Sequence, residues 1–249
     1  MCGICGIWGD ADPDTLGSMA NNIKHRGPDA KGLYSSPAGK LGHMRLSIMD
    51  PEKGDQPIYN ETGELAVIAN GEIYNFPELY GQLSADHHFK TTNDTECLLH
   101  LYEEKGTEMV RDLDGMFAFS ITDGENIFLA RDPVGIKPLY YVKDKDGNLY
   151  FSSELKSLTD VSFDIKEFPA GYWYHSQKGF HQFYEIPEKE PVKKDHGYYC
   201  SRIRETFEKA VRKRLMSDVP LGVFLSGGLD SSLLASMTGR FVSPLHSFA

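Results

Sequence analysis

The chain begins MCGICGIW, residues 1–8, and the rest of the predicted fold is arranged around this segment. Residues 3–8 are apolar or small on both faces of an extended chain, which predicts a short, buried, central strand. Cys2 stands directly before that strand. If methionine aminopeptidase removes Met1, which a small second residue permits, Cys2 carries both a thiol and a free α-amine.

A terminal cysteine of this kind is a nucleophile with its own base. The ordinary pKa values are about 8.5 for the thiol and about 7.7–8.0 for the amine, so the amine can take the thiol proton at neutral pH, directly or through a water. A nucleophile beside a general base is a complete catalytic pair. The alternative is that Cys2 is a small buried residue at the start of a strand.

The composition is that of a globular protein. Of the 249 residues, 40% are hydrophobic and 25% are charged, and this length suffices for one large domain or slightly more. The net charge of −10 and the lack of a basic cluster argue against nucleic acid as a partner. The sequence contains no apolar run that approaches a membrane span, and residues 1–20 lack the features of a signal peptide, so we expect no membrane partner and a cytoplasmic location.

The cysteines offer two further interpretations, a disulfide framework and a zinc site. Four cysteines, Cys2, Cys5, Cys97 and Cys200, do not make a disulfide framework in a chain of this size. Cys2 and Cys5 form a Cys-x-x-Cys pair, but a structural zinc site needs a second pair at short spacing, and the other two cysteines are isolated. The sequence therefore predicts no metal site in the N-terminal domain.

Arg45 is a candidate for binding a carboxylate. Residues 44–48 alternate between apolar and polar, which predicts a half-buried strand with Arg45 on the face opposite the core. A guanidinium held on a rigid strand suits this task, because its planar fork binds two oxygens at once. The alternative is an ordinary exposed charge.

Two more polar groups follow a strand predicted at residues 65–69, which runs into Asn70-Gly71. Asn-Gly is a turn dipeptide, and a hairpin turn is one interpretation. A side-chain amide and a glycine N–H can also point at one spot, as an oxyanion hole requires. Further on, Asp94 lies where a helix opens, and it is either the N-cap of that helix or a ligand for a substrate ammonium.

The remaining pattern predicts an α+β fold. Asn75 is expected to cap a helix over residues 76–83, with Glu78 reaching back, and residues 92–96 open a second helix that ends before Gly106. Asp-Gly turns separate strands at residues 117–122, 127–131, 139–143 and 149–152, which predicts an antiparallel meander; a hairpin follows near 172–175 and 180–184. Antiparallel sheets with helices packed outside them are the expected arrangement.

The pattern changes after a charged, Pro-containing stretch at 186–197, which is typical of a linker. An amphipathic helix is predicted at 198–215 and a buried strand at 222–225, followed by SGGLDSS at 226–232 and a further helix to about residue 237. Strand, Gly-rich loop and helix can cradle a phosphate on backbone N–H groups. No Gly-Lys-Ser/Thr follows, so this is not the common P-loop, and a plain Gly-Gly turn is the alternative.

Taken together, these stretches resemble one family over essentially the whole chain. They are MCGI at 1–4, HRGPD at 25–29, RLSIMD at 45–50, NGEIYN at 70–75, NDTE at 93–96, ARDPVGIKPLYY at 130–141 and LSGGLDSS at 225–232. In this order they resemble the glutamine-hydrolysing asparagine synthetases. The resemblance implies a class II glutamine amidotransferase domain at 2–185, with the αββα sandwich of antiparallel sheets of the N-terminal nucleophile hydrolases. A linker at 186–197 and an incomplete α/β ATP-pyrophosphatase segment at 198–249 would follow.

The resemblance implies that Cys2 attacks the side-chain amide of L-glutamine, while Asn70 and the Gly71 N–H hold the oxyanion. Arg45 would bind the α-carboxylate of glutamine. The rest of the backbone that lines the site would come from Leu46, Ser47, Ile48 and Met49.

The family also implies an ammonium site and a nucleotide site. Glu72 and Asp94 would bind the α-ammonium of glutamine. ATP would bind at Leu225, Ser226, Gly227, Gly228, Leu229, Asp230, Ser231 and Ser232. Glutamine hydrolysis itself would need no cofactor, whereas ATP and Mg²⁺ are implied for a complete synthetase.

The implied activity is hydrolysis of glutamine to glutamate and ammonia, which a complete synthetase transfers to ATP-activated aspartate to give asparagine. Residues 244–249 resemble only the second strand of the ATP-binding domain, and a doubly wound sheet cannot be completed from so few elements. We therefore expect this chain alone to hydrolyse glutamine without making asparagine. The alternatives are an amidotransferase with another carboxylate acceptor and a catalytically silent partner protein; a homodimer is one assembly to consider.

Overall fold

The strand predicted at residues 3–8 forms, as Gly3–Trp8, and lies inside a six-stranded antiparallel sheet. The computed structural model describes the backbone of residues 1–249 and every side chain except that of Pro13. The chain divides into two units, called unit 1 (Met1–Ile186) and unit 2 (Pro187–Ala249).

Unit 1 contains two six-stranded sheets. Its strands, in chain order, are β1 (Gly3–Trp8), β2 (Ala30–Ser35), β3 (Gly39–Arg45), β4 (Ile58–Tyr59), β5 (Ala66–Ile73), β6 (Gly115–Thr122), β7 (Ile127–Arg131), β8 (Tyr140–Lys143), β9 (Leu149–Ser152), β10 (Lys166–Glu167), β11 (Tyr172–His175) and β12 (Gly179–Gln182). Sheet 1 has the order β10-β8-β9-β1-β3-β2, and sheet 2 the order β12-β11-β7-β6-β5-β4. Every strand pairing within these two sheets is antiparallel.

Helices cover the outer faces of the two sheets. The α-helices of unit 1 are α1 (Pro13–Asn22), α2 (Phe76–Leu83) and α3 (Cys97–Lys105), and short 3-10 turns include Lys24–Arg26, Asp94–Glu96, Gly106–Asp112 and Leu155–Ser157. Leu16 and Met19 of α1 pack on the outer face of sheet 1, and Leu79 of α2 and Leu98 of α3 pack on the outer face of sheet 2. A third apolar cluster joins the sheets face to face. The expected αββα sandwich is thereby confirmed.

Successive side chains of a strand point to opposite faces of its sheet, and this alternation places polar side chains in the gap between the two sheets. Ile4 of β1 belongs to the cluster between the sheets, so Cys2, two residues before it, lies on the same face. In β5 the residues Ala66 and Ile68 belong to that cluster, and the alternation carries Asn70 and Glu72 to the same side. The chemistry-bearing side chains therefore extend the inter-sheet core at one end.

The strand predicted at 44–48 is placed differently. β3 runs from Gly39 to Arg45 and is buried along its whole length. Leu41 packs between the sheets, so Arg45 also faces sheet 2 rather than solvent. The prediction of a half-buried strand was wrong because both faces of sheet 1 are covered, one by α1 and one by sheet 2.

The prediction of a continuous antiparallel meander was wrong in one respect. β6 and β7 belong to sheet 2, whereas β8 and β9 belong to sheet 1, so the chain crosses between the sheets at residues 132–138. Asn75 also departs from the capping prediction, because its side chain bonds to the Asp112 carbonyl and the Asp114 N–H instead of capping α2.

Unit 2 is the start of an α/β arrangement. It contains α4 (His196–Lys213), β13 (Gly222–Phe224), α5 (Leu229–Thr238) and β14 (His246–Phe248), and the two strands pair in parallel. The helix predicted at 198–215 begins two residues earlier, because Asp195 caps it by accepting from the Tyr198 N–H. Within the described part of the chain, none of the helices has the length and apolar character to cross a membrane.

Candidate active site

A small pocket with a cavity volume of about 40 Å³, open to solvent, lies at this end of the inter-sheet gap. Its lining includes every residue predicted for the glutamine site except Ser47: Cys2, Arg45, Leu46, Ile48, Met49, Asn70, Gly71, Glu72 and Asp94. Ser47 instead donates its backbone N–H to Asp29 Oδ2 at 2.8 Å. Residues far apart in sequence thus meet in one concave site.

The Cys2 thiol is held against the backbone of Leu46. The Leu46 N–H donates to Cys2 Sγ at 3.4 Å, and Sγ lies 3.5 Å from the Leu46 carbonyl oxygen. Arg26 Nε donates to the Cys2 carbonyl at 2.9 Å, which fixes the start of the chain. Burial raises the pKa of the Cys2 thiol, against the opposing effects of the Leu46 N–H and the terminal amine. The thiol is therefore protonated at neutral pH and needs a base.

The terminal amine of the chain has the opposite shift. Burial lowers the pKa of the Met1 amine, and the positive charges of Arg26 and Lys137 lower it further. Met1 lines the pocket, and its Sδ lies 3.8 Å from Lys137 Nζ. An amine in this environment is neutral at a lower pH than an exposed one, which suits a general base.

Asn70 and Gly71 lie within β5, and the hairpin turn considered from the sequence is not there. They pair with Ala118 and Phe117 of β6. The Phe117 carbonyl accepts from the Asp132 N–H, and the Phe117 N–H donates to Asp132 Oδ2, so both backbone groups of Phe117 point away from β5. Gly71, which lies opposite Phe117, therefore directs its own N–H away from β6.

The N–H groups of Ala69 and Ile73 lie on the same edge of β5 as the Gly71 N–H, and each is bound by a side chain. Gln56 Oε1 accepts from Ala69 at 2.6 Å, and Asp94 Oδ2 accepts from Ile73 at 2.7 Å. Gly71 lies between these two. An added Cβ at Gly71 would come within 2.8 Å of Phe117 Cα, so only glycine fits this position.

The Asn70 amide is the second donor of the site. Asn70 is 1% exposed, and its Nδ2 finds no hydrogen-bond partner among the described residues. Buried polar groups are almost always paired, so an unpaired amide in a pocket indicates a group that binds something outside the chain. Asn70 and the adjacent Gly71 both line the pocket.

Glu72, which is half-buried, and Asp94, which is buried, are two carboxylates that line the pocket. Burial, and then the charge of Asp94, raises the pKa of Glu72 to about 7. Burial raises the pKa of Asp94 to about 6, although the Ile73 and Thr95 N–H groups oppose this. Asp94 does not cap a helix: Asn93 caps the 3-10 turn by accepting from the Thr95 N–H, and α3 begins at Cys97. A cationic ligand placed between Glu72 and Asp94 would stabilise the ionised form of both carboxylates.

Arg45 does not present an open fork. Nη1 donates to Asp55 Oδ1 at 2.6 Å and to the Pro51 carbonyl at 3.2 Å. Nη2 donates to the carbonyls of Met49 and Asp50 at 3.1 and 2.6 Å. Arg45 therefore organises residues 49–55 and lines the pocket at the same time, and a ligand carboxylate would have to compete with Asp55.

The sequence analysis missed three residues that shape this site. Lys137 is 4% exposed and lines the pocket; burial lowers its pKa, and the charge of Glu72 opposes that shift. Gln56 accepts from the Ala69 N–H, two residues before Gly71, and Arg26 donates to the carbonyl of Cys2 itself. Lys137 belongs to the motif ARDPVGIKPLYY at 130–141, but it reaches the pocket only because residues 132–138 cross from sheet 2 to sheet 1.

The Gly-rich loop of unit 2 is exposed and precedes α5. Gly227 has φ +78°, with no other atom within 4 Å of an added Cβ. Ser226 Oγ and Ser231 Oγ lie 3.0 Å apart, and the Gly228 N-cap makes no side-chain hydrogen bond to the helix. The predicted members Leu225, Ser226, Gly227, Gly228, Leu229, Asp230, Ser231 and Ser232 thus lie together at the start of this helix.

Comparisons with known proteins agree with the sequence resemblance. Residues 1–183 match the family model "Glutamine amidotransferase domain", and residues 202–249 match the model "Asparagine synthase". Glutamine-hydrolyzing asparagine synthetase 2 of Oryza sativa subsp. japonica is 44% identical over 98% of this chain and 42% of its own length. Synthetase 3 of Arabidopsis thaliana is 44% identical over 100% of this chain and 46% of its own length. The chain spans about half the length of these curated relatives.

Solved structures show the same fold at lower identity. Glutamine phosphoribosylpyrophosphate amidotransferase from B. subtilis has a TM-score of 0.65 and 19% identity, over 99% of this chain and 65% of that chain. A structure described as the allosteric regulatory enzyme of purine biosynthesis has a TM-score of 0.64 and 20% identity, over 100% of this chain and 68% of that chain. This likeness concerns the fold alone, and it agrees with the expected αββα sandwich of antiparallel sheets. With its family-model match over residues 1–183, this chain belongs to the glutamine amidotransferase domain family.

Proposed function

We propose that this chain hydrolyses L-glutamine to glutamate and ammonia with Cys2 as the nucleophile, as part of an amidotransferase of the asparagine synthetase type. The supporting observation is the Asn70 amide, for which the described part of the chain offers no partner and which lies in the pocket that Cys2 lines. Leaving a buried donor unpaired costs about 1–3 kcal/mol. An unpaired donor of this kind stabilises the transition state if it binds a negative charge that exists only during the reaction.

The first half-reaction forms a thioester. After Met1 is removed, the α-amine of Cys2 takes the thiol proton and Sγ attacks the side-chain amide carbon of glutamine. The carbonyl oxygen becomes an oxyanion that accepts from Asn70 Nδ2 and the Gly71 N–H. The carbon–nitrogen bond then breaks, the proton on the amine passes to the leaving nitrogen, and ammonia departs.

The second half-reaction hydrolyses the thioester. Water attacks the carbonyl carbon while the amine, now neutral, takes one of its protons. The same two donors hold the second oxyanion. The carbon–sulfur bond breaks, the amine returns its proton to the sulfur, and glutamate is released. The lowered pKa of an amine in this pocket and the raised pKa of the thiol both suit a base that starts neutral and a nucleophile that starts protonated.

Three charged side chains would orient the amino-acid end of glutamine. Glu72 and Asp94 would bind the α-ammonium, because a cation between the two carboxylates offsets their desolvation and their mutual repulsion. Arg45 would bind the α-carboxylate in exchange for Asp55, whose side chain is 68% exposed and can turn into solvent. The backbone of Leu46, Ser47, Ile48 and Met49 would line the rest of the site.

Unit 2 fits the phosphates of ATP. The helix α5 has no side-chain cap among its described neighbours, so its first N–H groups are free to receive phosphate oxygens. Asp230 is the carboxylate of this loop and is the residue that would hold Mg²⁺. Bound ATP would supply activation of an acceptor carboxylate, and the relatives named as asparagine synthetases favour aspartate as that acceptor. A cytoplasmic location and a homodimer stay predictions from the sequence.

Glutamate release from glutamine tests this proposal. Wild-type protein should turn over glutamine without ATP, and Cys2→Ala should abolish turnover. Cys200→Ala is the control, since that exposed thiol lies in unit 2 and should leave the rate unchanged. Turnover that survives in Cys2→Ala would refute the proposal.

A further inference from the structure

A cluster of two histidines and two glutamates lies in unit 1 outside the proposed active site. Glu61, His87, His100 and Glu103 each place one potential ligand atom within 4.8 Å of the others. They come from three separate segments: the loop before β5, the stretch between α2 and the 3-10 turn Asp94–Glu96, and α3 itself. We propose that this cluster binds one Zn²⁺ ion as a structural site.

Four nitrogen–oxygen distances in the cluster are close to the edge lengths of a zinc tetrahedron. His100 Nδ1 lies 3.1 Å from Glu103 Oε2 and 3.6 Å from Glu61 Oε2. His87 Nδ1 lies 3.5 Å from Glu61 Oε1 and 3.6 Å from Glu103 Oε2. Zinc bonds of about 2.0–2.2 Å give a tetrahedron with edges of about 3.3–3.6 Å. Glu61 faces His100 with Oε2 and His87 with Oε1, so its carboxylate would turn, or bind through both oxygens, when an ion enters.

The histidines are oriented as metal ligands usually are. Both direct Nδ1 to the centre of the cluster, while their other ring nitrogens face outer carboxylates. His87 Nε2 lies 3.4 Å from Glu104 Oε1, and His100 Nε2 lies 3.8 Å from Glu96 Oε1. Neither contact is a hydrogen bond, and His100 Nε2 has no hydrogen-bond partner among the described residues, but each carboxylate is near enough to accept the outer N–H once an ion holds the inner nitrogen.

The two glutamates are also held from outside the cluster. Asn60 Nδ2 donates to Glu103 Oε1 at 2.7 Å, and the backbone N–H of His88 donates to Glu61 Oε1 at 2.7 Å. His100 is fully buried, and the other three side chains are partly exposed, which leaves a path for the ion from solvent. Such support is what a preformed site requires.

The donor set selects the metal. Two imidazole nitrogens and two carboxylate oxygens in a tetrahedron suit Zn²⁺, whereas Mg²⁺ and Ca²⁺ need six or more oxygen ligands. The expectation of no metal site in this domain rested on cysteine spacing alone. The two histidines are 13 residues apart, Glu103 follows His100 on the same helix and Glu61 comes from a distant loop, so the four make no recognisable motif in the sequence.

The site would act on stability rather than on chemistry. The ion would tie the loop at Glu61 and the segment at His87 to α3, directly after the turn that carries Asp94. Four side chains bound to one ion stabilise only the folded chain, so binding raises the melting temperature.

The test measures Zn²⁺ binding to the full chain in a Cys200→Ser background. That background removes an exposed thiol whose sulfur lies 3.6 Å from His196 and could hold zinc on its own. We expect one Zn²⁺ per chain by elemental analysis after gel filtration, a raised melting temperature, and a tetrahedral visible spectrum with Co²⁺. Mg²⁺ and Ca²⁺ should not compete.

Variants separate this site from other zinc sites. His87→Ala and Glu103→Gln should each weaken binding at least about 100-fold, and Glu104→Gln about 10-fold. His88→Ala is the matched control, because it keeps the backbone N–H that binds Glu61 and should bind as the parent does. Glu103→Gln changes a partly exposed side chain and should fold normally. It therefore tests Zn²⁺ binding even if His87→Ala fails to fold. An unbound parent, or unchanged affinity in both variants, would overturn the proposal and leave a hydrogen-bonded His–Glu cluster.

Discussion

At the scale of single residues, the carboxylates Glu72 and Asp94 govern how the site responds to pH. Their pKa values are raised to about 7 and about 6, mainly by burial. An α-ammonium binds well only when they are ionised, so glutamine affinity should fall as the pH drops from 8 to 6. We expect KM to rise across that range, by up to about tenfold per pH unit. Glu72→Gln should raise KM at pH 8 and flatten the pH dependence of KM.

The same carboxylate affects stability in the absence of substrate. The folded pKa of Glu72 lies above its unfolded value, so its contribution to stability is present below about pH 4.5 and is lost as the pH rises through about 7. Glu72→Gln should therefore raise the melting temperature at pH 8 and change it little at pH 4.5. Equal shifts at both pH values would contradict the assignment.

Asn70 should act on the rate more than on binding. In the proposed mechanism its amide meets the oxyanion and not the ground-state substrate, so Asn70→Ala should lower kcat by about 10²–10³ with little change in KM. A change confined to KM would place Asn70 in substrate binding. Steady-state glutamate release measures both.

Asp55 should compete with the substrate for Arg45. The ion pair of 2.6 Å involves an exposed carboxylate, so its loss is worth about 0.5–1 kcal/mol. Asp55→Asn should accordingly lower the KM for glutamine by about two- to fivefold. Glu167→Gln is the matched control, because Glu167 is a similarly exposed partner of the buried Arg131, outside the pocket lining. A raised KM in Asp55→Asn would show that Asp55 supports the site.

At the scale of elements, β5 shows what the sequence could and could not predict. Residues 65–69 are apolar and predict a strand, but Asn-Gly predicts a turn by local preference. Pairing with β6 extends the strand through Ile73, and this long-range contact leaves no local signal. For the same reason, the sequence does not predict that sheet 2 covers one face of β3. It also does not predict the crossing between the sheets that brings Lys137 to the pocket. The apolar strands with Asp-Gly turns were readable because their signals are local.

Two glycine substitutions test that extension of β5. Gly71→Ala would push a Cβ against Met116 O and Phe117, so we expect a loss of stability of at least about 2 kcal/mol. Gly17 lies within α1, where an added Cβ meets nothing within 4 Å, so Gly17→Ala should stabilise by about 0.5–1 kcal/mol. Denaturant midpoints measure both, and a harmless Gly71→Ala would mean that β5 bends away from β6 at this point.

At the scale of the whole molecule, the two chemistries belong to separate units of the chain. The glutamine pocket is built entirely from unit 1, and the Gly-rich loop lies entirely in unit 2. Asp230→Ala should therefore leave glutamine hydrolysis unchanged, within about twofold, while it weakens any binding of ATP. A large loss of glutamate release in this variant would show that the units depend on each other.

The central claim is that the thiol and the amine that activates it belong to one terminal residue. Intact mass before and after treatment with a glutamine-like electrophile tests it most directly. The account predicts that the mature chain lacks Met1 and gains one adduct, which Cys2→Ala loses and Cys200→Ala keeps. A chain that retains Met1 and still gains the adduct at Cys2, or one that lacks Met1 and gains none, would contradict it.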